Sequence, residues 1–541
     1  MPMSRQRSQP APGGAAGGRV PARALVLLVA LAVGGSVSAP AATAANPISS
    51  AGEAAVSEVR VSAVAAGTQL ARERAFEPVL ATHPTDPDRL AAVYQRHLGK
   101  WVIPALRISR DGGQTWADTK GRPWAGSGRS PGLHASIAWG PGPAAGSARL
   151  YWADTTAGGG TGGHLLSVAW SDDEGRTWSR LHVERRTPPW IGGFPDITVD
   201  RHPASPNYGA VYVVYNWPAS ATRGPGLRLL ASPDFGRSWL PLEIPAAAPP
   251  AGFPAAWRID YRVRAAPDGS VYVASFQANL RRWDSSRIFW TGGLASVGRV
   301  GFAVARVELD RASGRFALHR PVMATTLHRN VYTALHAATP GTTDNLADPM
   351  WSLGLDVDPA SGRVVLAVGD IRASRPRGIV RVGHSDDGGA TWAWVTLPSL
   401  PAVGGRPQSS YRPNVVASDG LVFVGLRGIT DVAAGLSPAL HGPTIGLAYS
   451  LSLDGGATFS APVALTTARW NAGALDPATN GPGLRERAER TADGTVVYAY
   501  ADGRLAAPRP SARYGRATIF AVRARVPAAG PLEAARFGRP S

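Results

Sequence analysis

The chain has 541 residues, of which 63 are Gly, 47 are Pro and 17 are Trp, and it contains no Cys. The missing thiols exclude a disulfide scaffold, a Cys-ligated metal site and a cysteine nucleophile. Hydrophobic residues make up 44% of the chain and charged residues 17%, as in globular rather than disordered proteins. Abundant Gly, Pro and Trp indicate many short strands joined by turns.

Residues 1–45 have the layout of a secretory signal peptide. Four arginines precede the apolar run Ala24–Val33, and small residues follow as far as Ala45. We expect cleavage after Ala44 or Ala45, secretion of the mature chain and no stable membrane insertion. The alternative is that the segment is kept as a membrane anchor.

The remaining basic charge carries little information about partners. Loss of the leader's four arginines lowers the formal net charge from +18 to +14. The other arginines are spread thinly along the chain, and no helix-turn-helix, zinc-finger or RNP-like signature accompanies them. We therefore expect no nucleic-acid partner.

Five octapeptides share the pattern S-x-D-x-G-x-[T/S]-[W/F]. They are Ser109–Trp116, Ser171–Trp178, Ser232–Trp239, Ser385–Trp392 and Ser452–Phe459. The pattern predicts a tight hairpin in which the Asp carboxylate accepts backbone N–H groups and the Gly takes a positive φ. The Ser and Thr hydroxyls are expected to cross-bond the strand ends, and the aromatic ring to pack into the sheet.

These octapeptides resemble the Asp-boxes (BNR repeats) of the sialidase superfamily, and the resemblance covers residues 55 to 526. It implies an all-β propeller in which each box joins the third and fourth strands of a blade. The box would lie on the face away from the active site, so it predicts the fold and not the chemistry.

A second repeated feature, an inner strand, a turn and a β-branched or aromatic strand, counts the blades. It occurs seven times, at Val79–Tyr94, Ser136–Trp152, Ile197–Tyr215, Tyr261–Phe276, Leu353–Val368, Val415–Leu426 and Ala488–Tyr500. The second strands alternate as half-buried strands do, for example Val211–Tyr215. We predict seven four-stranded blades, with six as the alternative.

Three segments complete the domain organisation. Box starts are separated by 62, 61, 153 and 67 residues, so the long interval must hold a blade without a proper box, and Val307–Phe316 is predicted as its degenerate hairpin. Glu58–Val64 is predicted to pair with the last strand, Ala517–Val526, and to close the ring. Thr325–Pro349 is predicted as an insertion and candidate lid on the ligand-binding face. The propeller would thus span residues 46–526, followed by a Pro/Ala/Arg-rich disordered tail, 527–541.

Candidate functional residues stand where innermost strands begin, around the axis at which propellers bind ligands. These positions hold Glu77, His134, Asp196, Asp260 with Arg262, Asp348, Tyr411 with Arg412, and Glu486 with Arg487. We assign candidate catalytic roles to Asp196, Asp260, Asp348 and Glu486, because a carboxylate can act as general acid at a glycosidic oxygen. Tyr411 is added as a candidate nucleophile, with Tyr500 as the alternative. Candidate substrate-binding roles go to Arg262, Arg412 and Arg487, because guanidinium groups bind carboxylates in bidentate fashion. No His-Glu-x-x-His or zinc-ligand spacing indicates a metal, and no cofactor is predicted. The alternative is a cation held in the insertion by His328, His336, Asp344 and Asp348.

The resemblance to sialidases implies three arginines on the substrate carboxylate, a Tyr nucleophile paired with a Glu, and an Asp acid/base. The Arg-Ile-Pro motif of that family is absent, since the corresponding strand reads Arg74-Ala-Phe-Glu77 and Val102-Ile-Pro104 lacks the arginine. Two hypotheses follow. The first is a monomeric glycoside hydrolase or related enzyme acting on an extracellular glycan or glycoconjugate. The second is a non-catalytic propeller that binds glycan or protein.

Overall fold

The computed structural model describes residues 56–62, 74–98, 101–123, 133–157, 164–179, 182–184, 195–220, 224–247, 256–279, 300–327, 353–371, 378–430, 444–466, 468–471, 486–502 and 518–524. The chain divides into two compact units, residues 1–49 and 50–541, and every described residue belongs to the second. The predicted signal peptide, the predicted tail and nearly all of the predicted lid lie outside the described residues.

Thirty strands are described, and all but the first follow the chain blade by blade. The first is β1 (Val56–Arg60). Blade 1 holds β2 (Arg74–Thr82), β3 (Leu90–Leu98), β4 (Trp101–Ser109) and β5 (Ala117–Asp118). Blade 2 holds β6 (Leu133–Pro141), β7 (Ala148–Ala157), β8 (His164–Ser171) and β9 (His182–Glu184). Blade 3 holds β10 (Asp196–Val199), β11 (Val211–Ser220), β12 (Gly224–Ser232) and β13 (Leu240–Ile244).

The later blades repeat the pattern, with a fifth strand in two of them. Blade 4 holds β14 (Ala256–Ala265), β15 (Ser270–Asn279), β16 (Val300–Asp310), β17 (Arg315–Leu318) and β18 (Val322–Thr326). Blade 5 holds β19 (Leu353–Val357), β20 (Val364–Ile371), β21 (Gly378–Ser385) and β22 (Ala393–Thr396). Blade 6 holds β23 (Gln408–Ser418), β24 (Leu421–Thr430), β25 (Thr444–Ser452), β26 (Val463–Ala464) and β27 (Trp470–Asn471). Blade 7 holds β28 (Arg487–Arg490), β29 (Val496–Asp502), β30 (Thr518–Ala524) and β1.

The seven sheets form a ring, because the first strand of each blade contacts the first strands of its neighbours. Within each sheet the strands are antiparallel, and in blades 1 to 6 the first four run in chain order from the axis outwards. The fifth strands β18 and β27 pair with the third strands β16 and β25, and in blade 7 the outermost strand is β1. The prediction of a seven-bladed propeller is confirmed, and so is the degenerate hairpin, which joins β16 to β17 in blade 4. We call the end of the central channel where the first strands begin the upper end. The lower end carries the turns between first and second strands.

The ring closes through the two chain ends. Strand β1 pairs antiparallel with β30, from Val56 opposite Ala524 to Arg60 opposite Phe520. The predicted closing pair is therefore confirmed, and it places the most N-terminal described strand at the outer edge of the last blade. Closure removes the open edge that a linear row of sheets would leave.

Each Asp-box forms the predicted turn, with a different role for the hydroxyls. In the fourth box the Asp387 carboxylate accepts the backbone N–H of Thr391 at 2.9 Å and the Ser385 hydroxyl at 2.8 Å. Ser385 Oγ in turn accepts the backbone N–H of Gly389 at 2.8 Å. The hydroxyls thus bind within the turn instead of cross-bonding the strand ends. Gly389 has a positive φ, and so does Gly388 before it.

The second strands are buried on both faces, which differs from the half-buried pattern predicted from their alternation. All five residues of Val211–Tyr215 are fully buried. Tyr212 and Val214 pack in the core shared with blade 4, whereas Val211, Val213 and Tyr215 pack in the core shared with blade 2. Each blade is covered by a neighbour on either side, so both faces of this second strand are buried.

Candidate functional site

Four first strands carry a bulge in which a residue other than glycine adopts the left-handed conformation. The φ angles are 55° for Glu77, 58° for His134, 43° for Asp260 and 49° for Arg412, and the ladder register shifts at each of these positions. This backbone is unfavourable for a side-chain-bearing residue, and bulges of this kind redirect side chains near functional sites. All four belong to the set predicted from the sequence.

Glu77 and His134 form a hydrogen-bonded pair between the first strands of blades 1 and 2. One Glu77 carboxylate oxygen (Oε2) lies 2.6 Å from His134 Nδ1. The Glu77 side chain is 1% exposed and the His134 side chain 18%. Because a carboxylate accepts at Nδ1, the neutral imidazole carries its proton there and presents Nε2 as the basic nitrogen.

The bulge that carries His134 is fixed from the second strand of blade 1. With the amide of Gln95 oriented by its hydrogen-bond partners, its side-chain oxygen accepts the backbone N–H groups of His134 and Ala135, both at 3.0 Å. Gln95 is itself buried. These bonds stabilise a backbone conformation that would otherwise be costly, and they fix the position of the imidazole.

Two of the predicted carboxylates are paired with arginines on the walls of the channel. Asp260 Oδ1 lies 2.9 Å from Arg262 Nη1, so a predicted catalytic residue and a predicted substrate-binding residue bind each other. Asp196 accepts the backbone N–H of Val263 at 3.0 Å and lies 3.4 Å from both Arg264 Nη1 and Arg487 Nη1.

Glu486 lies in a buried network between blades 6 and 7. Its carboxylate accepts Arg427 Nε at 2.8 Å, also contacts Arg427 Nη2, and accepts the Tyr498 hydroxyl at 2.9 Å. Asn414 donates its side-chain amide to the Tyr498 oxygen at 3.1 Å. Burial, with the nearby Glu486 charge, raises the pKa of Tyr498 well above its usual value. The arrangement joins two blades, as a structural ion pair does.

The other predicted residues lie in different surroundings. Tyr411 is buried in the core, with its ring packed so closely on Gly378 that a Cβ there would come within 2.2 Å of it. Arg412 is also buried, at the bulge of β23. Asp348 lies outside the described residues.

The lower half of the channel contains a cavity of about 440 Å³. Its wall includes charged and aromatic side chains from the lower ends of the first strands and the turns that follow them: His83, Trp139, Arg201, His202, Arg264, Asp356, Asp419, Arg487, Glu489 and Arg490. We call this space the lower cavity. Among the predicted residues that the structure describes, only Arg487 lines it.

Electrostatic effects are strong along this wall. Burial raises the pKa of Asp356 to about 6, although Arg264 opposes the shift. Burial and the neighbouring Arg487 lower the pKa of Arg264. For Arg487, burial disfavours the charge, but Glu489 and Asp196 outweigh it and raise the pKa.

Sequence reasoning placed Glu77 and His134 at strand starts but did not predict their contact. The two residues are 57 positions apart in neighbouring blades, and only the bulges turn them towards each other. It also missed Arg264 and Glu489. Each follows a predicted arginine by two positions. Because alternate residues of a strand face the same side, this spacing could have indicated both.

Two further properties bear on function. Within the described ranges, no helix has the length and apolar character needed to cross a membrane. The same residues include no group of three or more His, Asp or Glu side chains placed to hold a metal ion.

No family model matches the chain, and no curated protein matches it. Among solved structures, an α-L-arabinofuranosidase of glycoside hydrolase family 93 from Fusarium graminearum is 13% identical, with a TM-score of 0.39, and the match covers 73% of this chain and 97% of the enzyme. A polysaccharide lyase of family 25, an ulvan lyase bound to a GlcA-Rha3S unit, is 13% identical at a TM-score of 0.43, covering 79% and 91%.

A microbial sialidase, Hadza Hz136, is 16% identical at a TM-score of 0.37, with coverage of 75% and 70%. The structural neighbours are therefore carbohydrate-active propeller proteins of low identity. At these identities and TM-scores the matches carry no argument about this chain, and they assign no residue a role.

Proposed function

We propose that this protein is a secreted carbohydrate-active enzyme that uses Glu77 and His134 as its acid–base centre on an acidic extracellular glycan. The observation that carries the proposal is the 2.6 Å contact between a buried carboxylate and a partly exposed imidazole, both on left-handed backbone. Residues in strained left-handed backbone cluster at functional sites, so their occurrence at both members of this pair supports a functional role.

The pair supports proton transfer. His134 Nε2 can take a proton from the substrate, and Glu77 then stabilises the imidazolium through Nδ1. On a uronate-containing glycan, removal of the proton beside the carboxylate forms a carbon–carbon double bond as the glycosidic C–O bond breaks. The imidazolium returns its proton to the leaving oxygen, so protons and electrons balance. Arg262 is the candidate to neutralise the sugar carboxylate, and to do so it would exchange its 2.9 Å contact with Asp260 for the substrate; Arg412, buried at the bulge of blade 6, is the second candidate.

Elimination fits the described carboxylates better than hydrolysis by two carboxylates. A glycosidase of that type needs one carboxylic acid and one carboxylate facing the scissile bond. Asp196, Asp260 and Glu486 are each held by an arginine or a backbone N–H group. The same pairing is the specific observation that favours the second candidate, a non-catalytic glycan-binding propeller.

The test is to incubate the protein with uronic-acid polymers, sialosides and arabinans, recording new reducing ends and the ultraviolet absorbance of an unsaturated uronate. His134→Gln should lower the rate by roughly 10²–10⁴-fold, the usual share of a general acid or base. Glu77→Gln should lower it less, because the imidazole remains. The matched control is His319→Gln, which breaks a 2.9 Å His–Glu contact to Glu308 on the exposed outer part of blade 4.

Each outcome separates the candidates. Reducing ends with ultraviolet absorbance support elimination, and reducing ends without it indicate hydrolysis. Glycan retention without any product leaves the binding propeller. Full activity in His134→Gln would show that the acid–base centre lies elsewhere.

A further inference from the structure

We infer that the lower cavity is a second ligand site that takes a small neutral sugar or polyol. It lies at the end of the channel opposite the Glu77–His134 pair, so it stands independently of the function proposed above. At about 440 Å³ it falls within the roughly 300–1,000 Å³ range of small-molecule pockets.

Two charged contacts of the wall are longer than a direct hydrogen bond, although Glu489 Oε1 also accepts Arg487 Nε at 2.6 Å. Arg264 Nε lies 3.6 Å from Asp356 Oδ1, and Arg201 Nη2 lies 3.6 Å from Glu489 Oε2. Charge-assisted N–H···O bonds are normally about 2.7–2.9 Å long, and the Arg149–Asp172 contacts on the rim of blade 2 have this length, at 2.7 Å. The long contacts leave donors and acceptors that can turn to a ligand.

The charges on the wall balance. Four arginines line the cavity, and they face the lining carboxylates Asp356, Asp419 and Glu489, with Asp196 directly behind Arg264 and Arg487. The carboxylates would repel an anion and the guanidinium groups would repel a cation, so the wall favours neither sign of ligand charge.

A neutral polyol fits such a wall, because each hydroxyl both donates and accepts. It can donate to a carboxylate such as Asp356 while it accepts from a guanidinium such as Arg264. The His83 and Trp139 rings pack edge to face, with 5.1 Å between their centroids, and they form a more apolar part of the wall. The C–H face of a sugar ring can pack against them.

The position of Ala492 provides a test that leaves the buried charges intact. Ala492 is an exposed residue on the turn after the first strand of blade 7, and it lines the cavity. Ala492→Trp should obstruct the lower cavity at this turn. Ala360, an exposed alanine on the corresponding turn of blade 5, is outside the lining, so Ala360→Trp is the matched control.

Binding of arabinose, rhamnose, xylose and galactose to the full chain is measured by saturation-transfer NMR and calorimetry, with acetate and sulfate as anionic probes. We expect at least one sugar to bind. Ala492→Trp should abolish the binding, and Glu489→Gln should weaken it roughly tenfold or more, as loss of a hydrogen bond to a charged group does. Ala360→Trp and His134→Gln should bind as the wild type does.

The inference is overturned if no sugar binds, if acetate or sulfate binds in place of the sugars, or if Ala492→Trp and Glu489→Gln both bind normally while melting as the wild type does. Binding that disappears in His134→Gln would place the sugar at the upper end and also refute it. None of these results changes the interpretation of the rates measured for variants of the Glu77–His134 pair.

Discussion

Replacement of Glu486 by Gln separates a structural role from a catalytic one. The Glu486 and Arg427 side chains are each 1% exposed and bind each other across the interface of blades 6 and 7. Glutamine keeps an acceptor for the Tyr498 hydroxyl but leaves the Arg427 guanidinium buried without an opposite charge. Removing one partner of a buried ion pair typically costs about 3–5 kcal/mol.

That cost converts to a measurable melting shift. An unfolding entropy of about 2.1 cal/mol/K per residue, over a propeller of roughly 470 residues, gives about 1 kcal/mol/K. Glu486→Gln should therefore melt about 3–5 °C below the wild type. Adding Arg427→Met removes the unpaired charge, so the double variant should be less destabilised than the two single effects together.

Thermal and denaturant unfolding of the wild type, Glu486→Gln, Arg427→Met and the double variant measures the effect. The control is Glu243→Gln, which breaks an exposed contact of Arg228 and should cost no more than about 1 kcal/mol. A Glu486→Gln protein that melts with the wild type but loses activity would refute the structural interpretation and restore Glu486 as a catalytic candidate.

The remaining predictions concern three buried positions. Burial raises the pKa of Asp154 from 3.8 to about 7, so its stabilising contribution is complete below about pH 4 and is lost as the pH rises to about 7. Asp154→Asn should therefore gain stability relative to the wild type across that window in pH-dependent melts, and a constant difference would contradict this. Ser385→Ala should cost about 1–3 kcal/mol in denaturant unfolding, because the backbone N–H of Gly389 loses its acceptor; an unchanged midpoint would count against it. Gly354→Ala should also cost about 1–3 kcal/mol, because its Cβ would lie 2.9 Å from the Pro413 carbonyl of the neighbouring first strand; wild-type stability would disprove this close packing.

The fold could be predicted because its signals are local and repeated. Each Asp-box encodes its own turn within eight residues, and each inner strand is followed by a turn and a β-branched strand. The closing pair was predictable for a related reason, since one strand was left over at each end of the repeat. The burial of Val211–Tyr215 on both faces was not predicted, because it depends on the neighbouring blades.

The sequence indicated which strands carry the candidate residues but not their partners. Asp260 and Arg262 were expected at the start of the first strand of blade 4 and lie in the middle of β14 (Ala256–Ala265), whereas Glu486 immediately precedes β28 (Arg487–Arg490). The sequence could not show that Glu486 would meet Arg427, 59 residues away in the preceding blade. Such contacts depend on bulges and on the angle between blades, and the sequence of a single strand indicates neither.

Closure of the ring by β1 and β30 also sets the order of folding. The Ile519 N–H donates to Ser62 Oγ at 3.1 Å, and the two residues are separated by 457 positions in the sequence, so the seam forms only after β30 has been synthesised. Because loop-closure entropy rises only with the logarithm of length, so distant a seam costs little at equilibrium. Its effect is kinetic, since contacts between remote segments form slowly. Until β30 emerges from the ribosome, β1 has no partner strand and the nascent propeller keeps an open edge to which another strand could add.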